Sequence, residues 1–221
     1  MNKPLKVEFH CHTWRSRDSV TSPRELQARA RRLGIDRVII TDHNTIRGGL
    51  EACELDPELF IVGEEVLTDK GEFLAAFVTH EVPARLPYRE ALDRLRSQGA
   101  FISVSHPFDY SRYGWHEPDL LEIMSDVDAI EVFNSRCVSM EINDRAAMFA
   151  SDHQLAGTVG SDAHLVRELG RATLSLPYFS TADELRGVIR MGTATTSLSS
   201  GWVHAGSAFA RMARRWKKIP E

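Results

Sequence analysis

Apolar and polar positions follow two periods along this chain, and the periods take turns. Residues 5–9 (LKVEF) and 37–41 (RVIIT) read as strands, the second an unbroken apolar run of the kind buried on both faces. Between them, residues 22–33 read as a helix with Ser22 as its cap, Pro23 in its first turn and Gly34 as its stop. A second helix is expected from 45 to about 55, halted near Pro57. Further strands are expected at 59–62, 72–79, 101–105, 129–133 and 155–159, and further helices at 88–98, 140–152 and 181–191. The last helix opens on Thr181 with Glu184 at the capping-box position and ends before Gly192. Such alternation predicts an α/β parallel sheet or barrel. A barrel is favoured, because no Gly-rich phosphate loop marks a doubly wound dinucleotide site.

No repeat or linker interrupts the series, so residues 1–200 are expected to form one domain. Residues 201–221 differ: Arg211, Arg214, Arg215, Lys217 and Lys218 surround Trp216 with Glu221 as the one acid. The plain reading is a solvated C-terminal helix docked by its apolar side, and the sharper one is a contact for nucleic acid or an anionic surface.

Composition narrows the classes. A chain of 221 residues that is 43% hydrophobic and 26% charged is an ordinary globular protein, which excludes disordered, collagen-like and coiled-coil chains. A formal charge of -4 gives no general pull toward polyanions and leaves nucleic acid to a local patch. Three scattered cysteines, Cys11, Cys53 and Cys137, suit a reducing interior and make no disulfide framework, so the cytoplasm is the expected compartment. The opening MNKPLKVEFHCHTW lacks the apolar core of a signal peptide, and no stretch approaches the ~20 apolar residues of a membrane span, so no membrane partner is expected. Oligomeric state leaves no mark on the pattern.

The chemistry gathers where predicted strands end. His10-Cys11-His12 closes the first strand, and alternate residues on extended chain share a face, so both imidazoles can meet one cation while Cys11 turns away. Asp42-His43-Asn44, Gly63-Glu64-Glu65, Ser105-His106-Pro107 and Ser161-Asp162-Ala163-His164 close four more strands. In parallel barrels the carboxyl ends converge on one mouth. A lone strand-end histidine is ordinarily a hydrogen-bonded structural residue, but five coincidences point to a cluster that binds cations. Asp42 and Glu64 should face away from the cation and support the ligands by hydrogen bonds, as should Asn134. The cysteines lack partners for nucleophilic catalysis and read as packed residues. His116, His153 and His204 fall outside the pattern.

The segments FHCHTWRSRDS, ITDHNT, GEE, SHPFD, IEVFNS and GSDAH, in that order over roughly residues 7–191, resemble the polymerase and histidinol phosphatase (PHP) superfamily. The resemblance implies a distorted (β/α)7-type barrel whose strand ends hold two or three divalent metal ions, and hydrolysis of phosphate esters. Carried over by position, His10, His12 and Asp162 would bind a first ion, and Glu65 would bridge to a second held also by His106. Asp18, His43 and His164 would bind a third. This mixture of imidazole and carboxylate suits Zn, Mn or Fe better than Ca or Mg. Glu72 stands where many relatives have a histidine ligand and is carried as a candidate ligand; without it the second site would be weaker. His80, later on that strand, is expected at the surface.

Ions ~4 Å apart can share a hydroxide that attacks phosphorus in line. Negative charge growing on the phosphoryl oxygens calls for an arginine. Arg15, Arg17, Arg136 and Arg171 are the candidates, with Arg136 first because it follows the strand ending at Asn134. His43, His164 or a metal-bound water would protonate the leaving oxygen. The expected function is a metal-dependent phosphoesterase acting on a small phosphorylated metabolite or nucleotide, with oligonucleotide ends as a variant. Two alternatives stand beside it: an amidohydrolase-like enzyme, since the same hydroxide attacks carbonyls, and a non-catalytic metal-stabilised nucleic-acid-binding module. The loop at 108–117 offers aromatics and an arginine for a base and a phosphate, although its plain reading is a surface loop.

Overall fold

A computed structural model describes residues 3–200. Its first half runs β1 (Leu5–Cys11), α1 (Pro23–Leu33), β2 (Arg37–Ile40), α2 (Arg47–Leu55), β3 (Phe60–Leu67), β4 (Glu72–Ala76) and α3 (Tyr88–Ser97). The second half runs β5 (Phe101–Val104), α4 (Glu117–Ile123), β6 (Ala129–Asn134), α5 (Met140–Asp152), β7 (Ala156–Gly160), β8 (Ala172–Leu176), α6 (Ala182–Val188) and β9 (Thr193–Thr196). One sheet holds the strands in the order β7-β6-β5-β4-β3-β2-β1-β8-β9. It curls until its β7 edge comes round to β1: Ala163, just past β7, pairs with Cys11, and the His12 N–H donates to the Ala163 carbonyl at 2.9 Å. The result is an α/β barrel.

The helix ends follow their local chemistry. Ser22 accepts the Glu25 N–H while the Glu25 carboxylate accepts the Ser22 N–H at 2.8 Å, closing a capping box, and Gly34 takes the left-handed conformation with φ 63°. At α6, Thr181 caps the Glu184 N–H at 3.2 Å, but the Glu184 carboxylate reaches past it to the Ser180 N–H at 2.7 Å.

Three departures from the sequence pattern matter. No helix separates β3 from β4; a tight turn closed by the Thr68 hydroxyl on the Gly71 carbonyl at 2.6 Å reverses the chain, so β4 is antiparallel to both neighbours. Its first residue, Glu72, therefore lies at the same mouth as the last residues of the parallel strands. Second, β3 continues to Leu67, so Glu64 and Glu65 lie within a strand. Third, β8 and β9 extend the sheet with antiparallel strands that the pattern did not mark, β9 being exposed at all four residues.

Apolar side chains form three clusters. Val7, Phe9, Ile39 and Phe101 pack with Leu185 and Ile189 of the α6 region, a second group lies beneath α1 and α2, and a third beneath α3, α4 and α5. Close packing on all these sides leaves the mouth as the place where polar side chains collect. The tail at 201–221, and with it the proposed division at residue 200, lies outside the described residues. No described helix is long and apolar enough to cross a membrane.

Candidate metal centre

The register of β1 against β2 shifts between Glu8 and Cys11. Phe9 joins the apolar cluster of Val7 and Ile39, Cys11 joins the cluster under α1 and α2, and the imidazoles of His10 and His12 meet with their Nε2 atoms 3.0 Å apart. Asp162 Oδ1 lies 3.6 Å from the first and 3.4 Å from the second. Glu65 presents Oε1 at 3.4 Å from His10 Nε2 and Oε2 at 3.5 Å from His12 Nε2. His106 Nε2 stands 3.2 Å from Glu65 Oε1 and 3.4 Å from Glu72 Oε2. Asp18 Oδ1 is 3.2 Å from His164 Nε2 and 3.6 Å from His43 Nε2, and His43 Nδ1 is 2.9 Å from Glu65 Oε2. All nine candidate ligands thus come to one place. Within it, His10, His12 and Asp162 form one compact group, His12, His43 and His164 a second, and His43, Glu65 and Glu72 a third.

The backbone bends to bring them there. His106, Asp162 and Asn44, all just past strand ends, have positive φ values of 20°, 50° and 54°, strain of the kind kept at functional sites. Gly160 admits no side chain, since a Cβ there would run into the His10 Cβ and approach Glu131 Oε1 to 2.5 Å.

Behind the cluster lies a shell of hydrogen bonds. Glu131 holds His10 Nδ1 at 3.0 Å, and the Ser16 hydroxyl holds His12 Nδ1 at 3.2 Å. Both contacts leave Nε2 as the free lone pair when Nδ1 carries the hydrogen. Asp42 accepts from the Thr13 N–H and from the Thr13 and Ser16 hydroxyls at 2.6–2.7 Å, tying down the loop after β1. Glu64 turns away from the cluster and accepts the Val82 N–H at 3.0 Å. Asn134 Nδ2 donates to Glu131 at 3.0 Å and to Asp162 at 3.2 Å. Glu168 accepts the His164 N–H at 3.1 Å, and Ser105 donates to Glu65 Oε1 at 2.7 Å.

Burial and charge pull these groups in opposite directions. Burial disfavours the His10 imidazolium, but Asp162, Glu65 and Glu131 outweigh it and hold His10 well above its ordinary range. Burial together with His164 and His43 drives His12 well below. Burial and the nearby Glu65 push Glu72 up. Glu65 and Asp162 are held well below the usual carboxylate range, against burial, by His10 among others.

The donors fit a divalent cation. Two imidazole nitrogens 3.0 Å apart can share at most one hydrogen, and oxygens of Asp162 and Glu65 stand 3.4–3.6 Å from them. Ligand atoms around a tetrahedral cation with bonds of about 2.05 Å would stand about 3.3 Å from each other, close to the separations among His10, His12, Asp162 and Glu65.

The arginines fall out differently from the sequence expectation. Arg15, Arg17 and Arg136 line the cleft, while Arg171 opens toward β9, its carbonyl accepting the Ser197 N–H at 2.8 Å. Arg136 is buried with Nη1 3.6 Å from Glu168. It is Arg112, in the loop at 108–117, that pairs with Asp162, and its Nε donates to Asp109 at 2.8 Å. Sequence reading missed Glu131 as well, although an acid inside the apolar run AIEVF is the signal of a buried partnered charge. His80 is exposed, as expected, and the cysteines described are free thiols. His116 and His153 lie apart from the cluster, the first stacked on Tyr110 and the second tilted against Phe149, and His204 is outside the described residues.

Comparison with known proteins gives this arrangement relatives. Residues 141–194 match the family model described as PHP-associated. The chain is 38% identical over 172 residues to the uncharacterized protein MJ0417 of Methanocaldococcus jannaschii, covering 76% of this chain and 69% of that protein. In fold it is similar to a proposed metal-dependent phosphoesterase of Bifidobacterium adolescentis, with a TM-score of 0.59 and 19% identity over 74% of this chain and 90% of that one. It is also similar to the lesion-specific endonuclease PfuEndoQ of Pyrococcus furiosus, with a TM-score of 0.64 and 18% identity over 85% of this chain and 56% of that one. Barrel, strand-end cluster and relatives agree: the chain belongs to one family with MJ0417 and is a PHP-domain protein.

Proposed function

We propose that this protein is a metal-dependent phosphoesterase acting on a small phosphorylated metabolite or nucleotide. The observation that carries the reading is the convergence of His10 and His12 Nε2, 3.0 Å apart, with Asp162 and Glu65 in one buried group at the spacing of ligands around a cation. In the proposed assignment His10, His12, Asp162 and Glu65 hold one ion, Glu65, His106 and Glu72 a second, and Asp18, His43 and His164 a third. Bound Zn, Mn or Fe would supply Lewis acidity and a water acidified to near neutrality.

The chain's own residues do the rest. Glu131 and Ser16 fix the ring orientation of His10 and His12, so the site needs no rearrangement when charge develops. Arg112, anchored by Asp109, presents its guanidinium beside Asp162 and offers the phosphoryl oxygens planar donors that strengthen as their charge grows. Arg136 lines the same wall. His43, its side chain 30% exposed at the mouth, and His164 are placed to carry the proton for the leaving oxygen.

The test is a panel of phosphate monoesters, phosphate diesters and amides presented to protein loaded separately with Zn, Mn and Fe, with elemental analysis of each preparation. Phosphate release that disappears together with bound metal in Asp162→Ala and His10→Ala is the expected outcome. Amide turnover alone would mark an amidohydrolase-like enzyme, and binding of nucleic acid without turnover a non-catalytic module.

A further inference from the structure

A buried carboxylate closes the seam of the barrel. β1 changes partner along its length: over Leu5–Val7 it pairs with β8, whereas at Cys11 and His12 it meets Ala163, just past β7. Glu8 stands at the changeover and is fully buried. Where a sheet forks, backbone groups lose their ladder partners, and here the Glu8 side chain takes them. Its Oε1 accepts the Ser161 N–H at 2.8 Å and the His10 N–H at 3.3 Å, and its Oε2 accepts the Gly170 N–H at 3.0 Å together with the Ser161 hydroxyl. Ser161 Oγ in turn accepts the Ala172 N–H at 3.0 Å. One side chain thus joins β1, the end of β7 and the loop that enters β8.

The joined segments carry the ligands of one proposed ion. His10 lies two residues beyond Glu8 on β1, and Asp162 directly follows Ser161 with a positive φ of 50°. β1 and β7 face each other across the seam and are not neighbours in the sheet order. The 3.6 Å between His10 Nε2 and Asp162 Oδ1 therefore depends on ties made across it. Charge is the second observation. Among the described residues no Lys, Arg or His side chain pairs with the Glu8 carboxylate, and burying a carboxylate without a cation costs stability. A neutral side chain of the same shape could accept N–H groups at the fork without that cost. The negative charge is arranged for a cation that the chain itself does not supply, and the group beside it is His10, His12 and Asp162.

We infer that Glu8 is a positioning residue for that ion: its carboxylate clasps the seam so that His10 and His12 meet Asp162 at ligand spacing, and it places a buried negative charge behind them. The inference rests on the metal assignment of the proposed function and is independent of which bond is hydrolysed. It differs from the part played by Glu131, which holds the His10 ring from β6, because Glu8 holds backbone and so sets where the two strands stand.

The experiment measures, on the full chain, zinc affinity by chelator competition and the visible absorption of protein loaded with cobalt(II), whose bands report the geometry of its ligands. Glu8→Gln keeps the shape and removes the charge. It should retain the fold, judged by near-ultraviolet circular dichroism, weaken one bound zinc ion about 10–100-fold and shift the cobalt bands. Glu8→Asp, with the charge kept and the reach shortened, should recover part of the affinity. Leu95→Ala, in the apolar cluster beneath α3, is the control for plain loss of stability: it should lower the melting temperature and leave affinity and bands as in the parent. If Glu8→Gln does not fold, Ser161→Ala removes one arm of the clasp and should give a smaller loss in the same direction. Parent-like affinity and bands in Glu8→Gln, or in Ser161→Ala where that variant replaces it, overturn the inference, as does a loss that Leu95→Ala reproduces. A parent that binds no zinc or cobalt overturns it together with the metal assignment. A parent that binds them and hydrolyses no ester removes the phosphoesterase reading alone, and the same variants still decide this one.

Discussion

Glu131 Oε1 lies 3.0 Å from His10 Nδ1, while the other oxygen of the same carboxylate accepts the His106 N–H at 2.8 Å. One buried acid on β6 therefore sets the ring of a candidate ligand on β1 and the backbone of another candidate after β5. Glu131→Gln keeps the shape and loses the charge. The expected effect is a 10–100-fold loss of metal affinity in chelator competition, the usual cost of a disturbed outer partner, with the fold retained. Undiminished affinity would reduce Glu131 to packing.

Glu72 reaches the mouth because β4 runs backward, and Trp115 braces it by donating Nε1–H to the Glu72 carbonyl at 2.9 Å. Glu72→Ala should lower the metal content of the purified protein by about one ion per chain and spare the ion of His10, His12 and Asp162, whereas Glu72→His should retain it. An unchanged metal count in Glu72→Ala would remove Glu72 from the ligand set.

Arg112 supplies the guanidinium beside Asp162. Loss of one donor to a developing oxyanion typically costs 10²–10³ in rate, so Arg112→Ala should lower kcat by about that factor, and Arg112→Lys should recover only part of it. If Arg136→Ala costs as much while Arg112→Ala costs nothing, the two roles are reversed.

Gly160 and Gly187 make a contrasting pair. In Gly160→Ala the new Cβ meets His10 and Glu131, so a loss of about 1–3 kcal/mol in denaturant unfolding and weaker metal binding are expected. At Gly187, in α6, a Cβ meets nothing within 4 Å, and Gly187→Ala should gain about 0.5–1 kcal/mol through helix propensity. Equal effects would mean that crowding at His10 carries no weight.

Burial pushes the Glu64 carboxyl from 4.5 up to about 8, with the Val82 N–H opposing and Glu81 adding to the rise. A raised acid binds its proton more tightly in the folded state, so its contribution to stability is complete below about pH 4.5 and is lost as pH rises through about 8. Glu64→Gln removes the ionisation. Thermal melts should show the variant gaining on the parent between pH 5 and pH 9, and a pH-independent difference would refute the assignment.

Much of this was legible in the sequence, for reasons local to particular residues. Ser22, Glu25 and Gly34 bound α1 because caps and left-handed glycines act within a few residues of chain. His10 and His12 could be paired because alternate positions on a strand share a face. Arg112 and β4 could not be read in the same way. Arg112 becomes part of the site only when its loop folds against Asp162, fifty positions along the chain, and β4 owes its direction to a turn between Thr68 and Gly71 rather than to its own pattern.

The order of strands and helices, the apolar faces that drive the barrel closed, and the residue types waiting at strand ends were written in the sequence, because period and capping are short-range properties. The tertiary structure alone decided which acid stands behind which imidazole and which arginine reaches the floor. Those are matters of distance between segments remote in sequence, fixed only when the whole sheet packs.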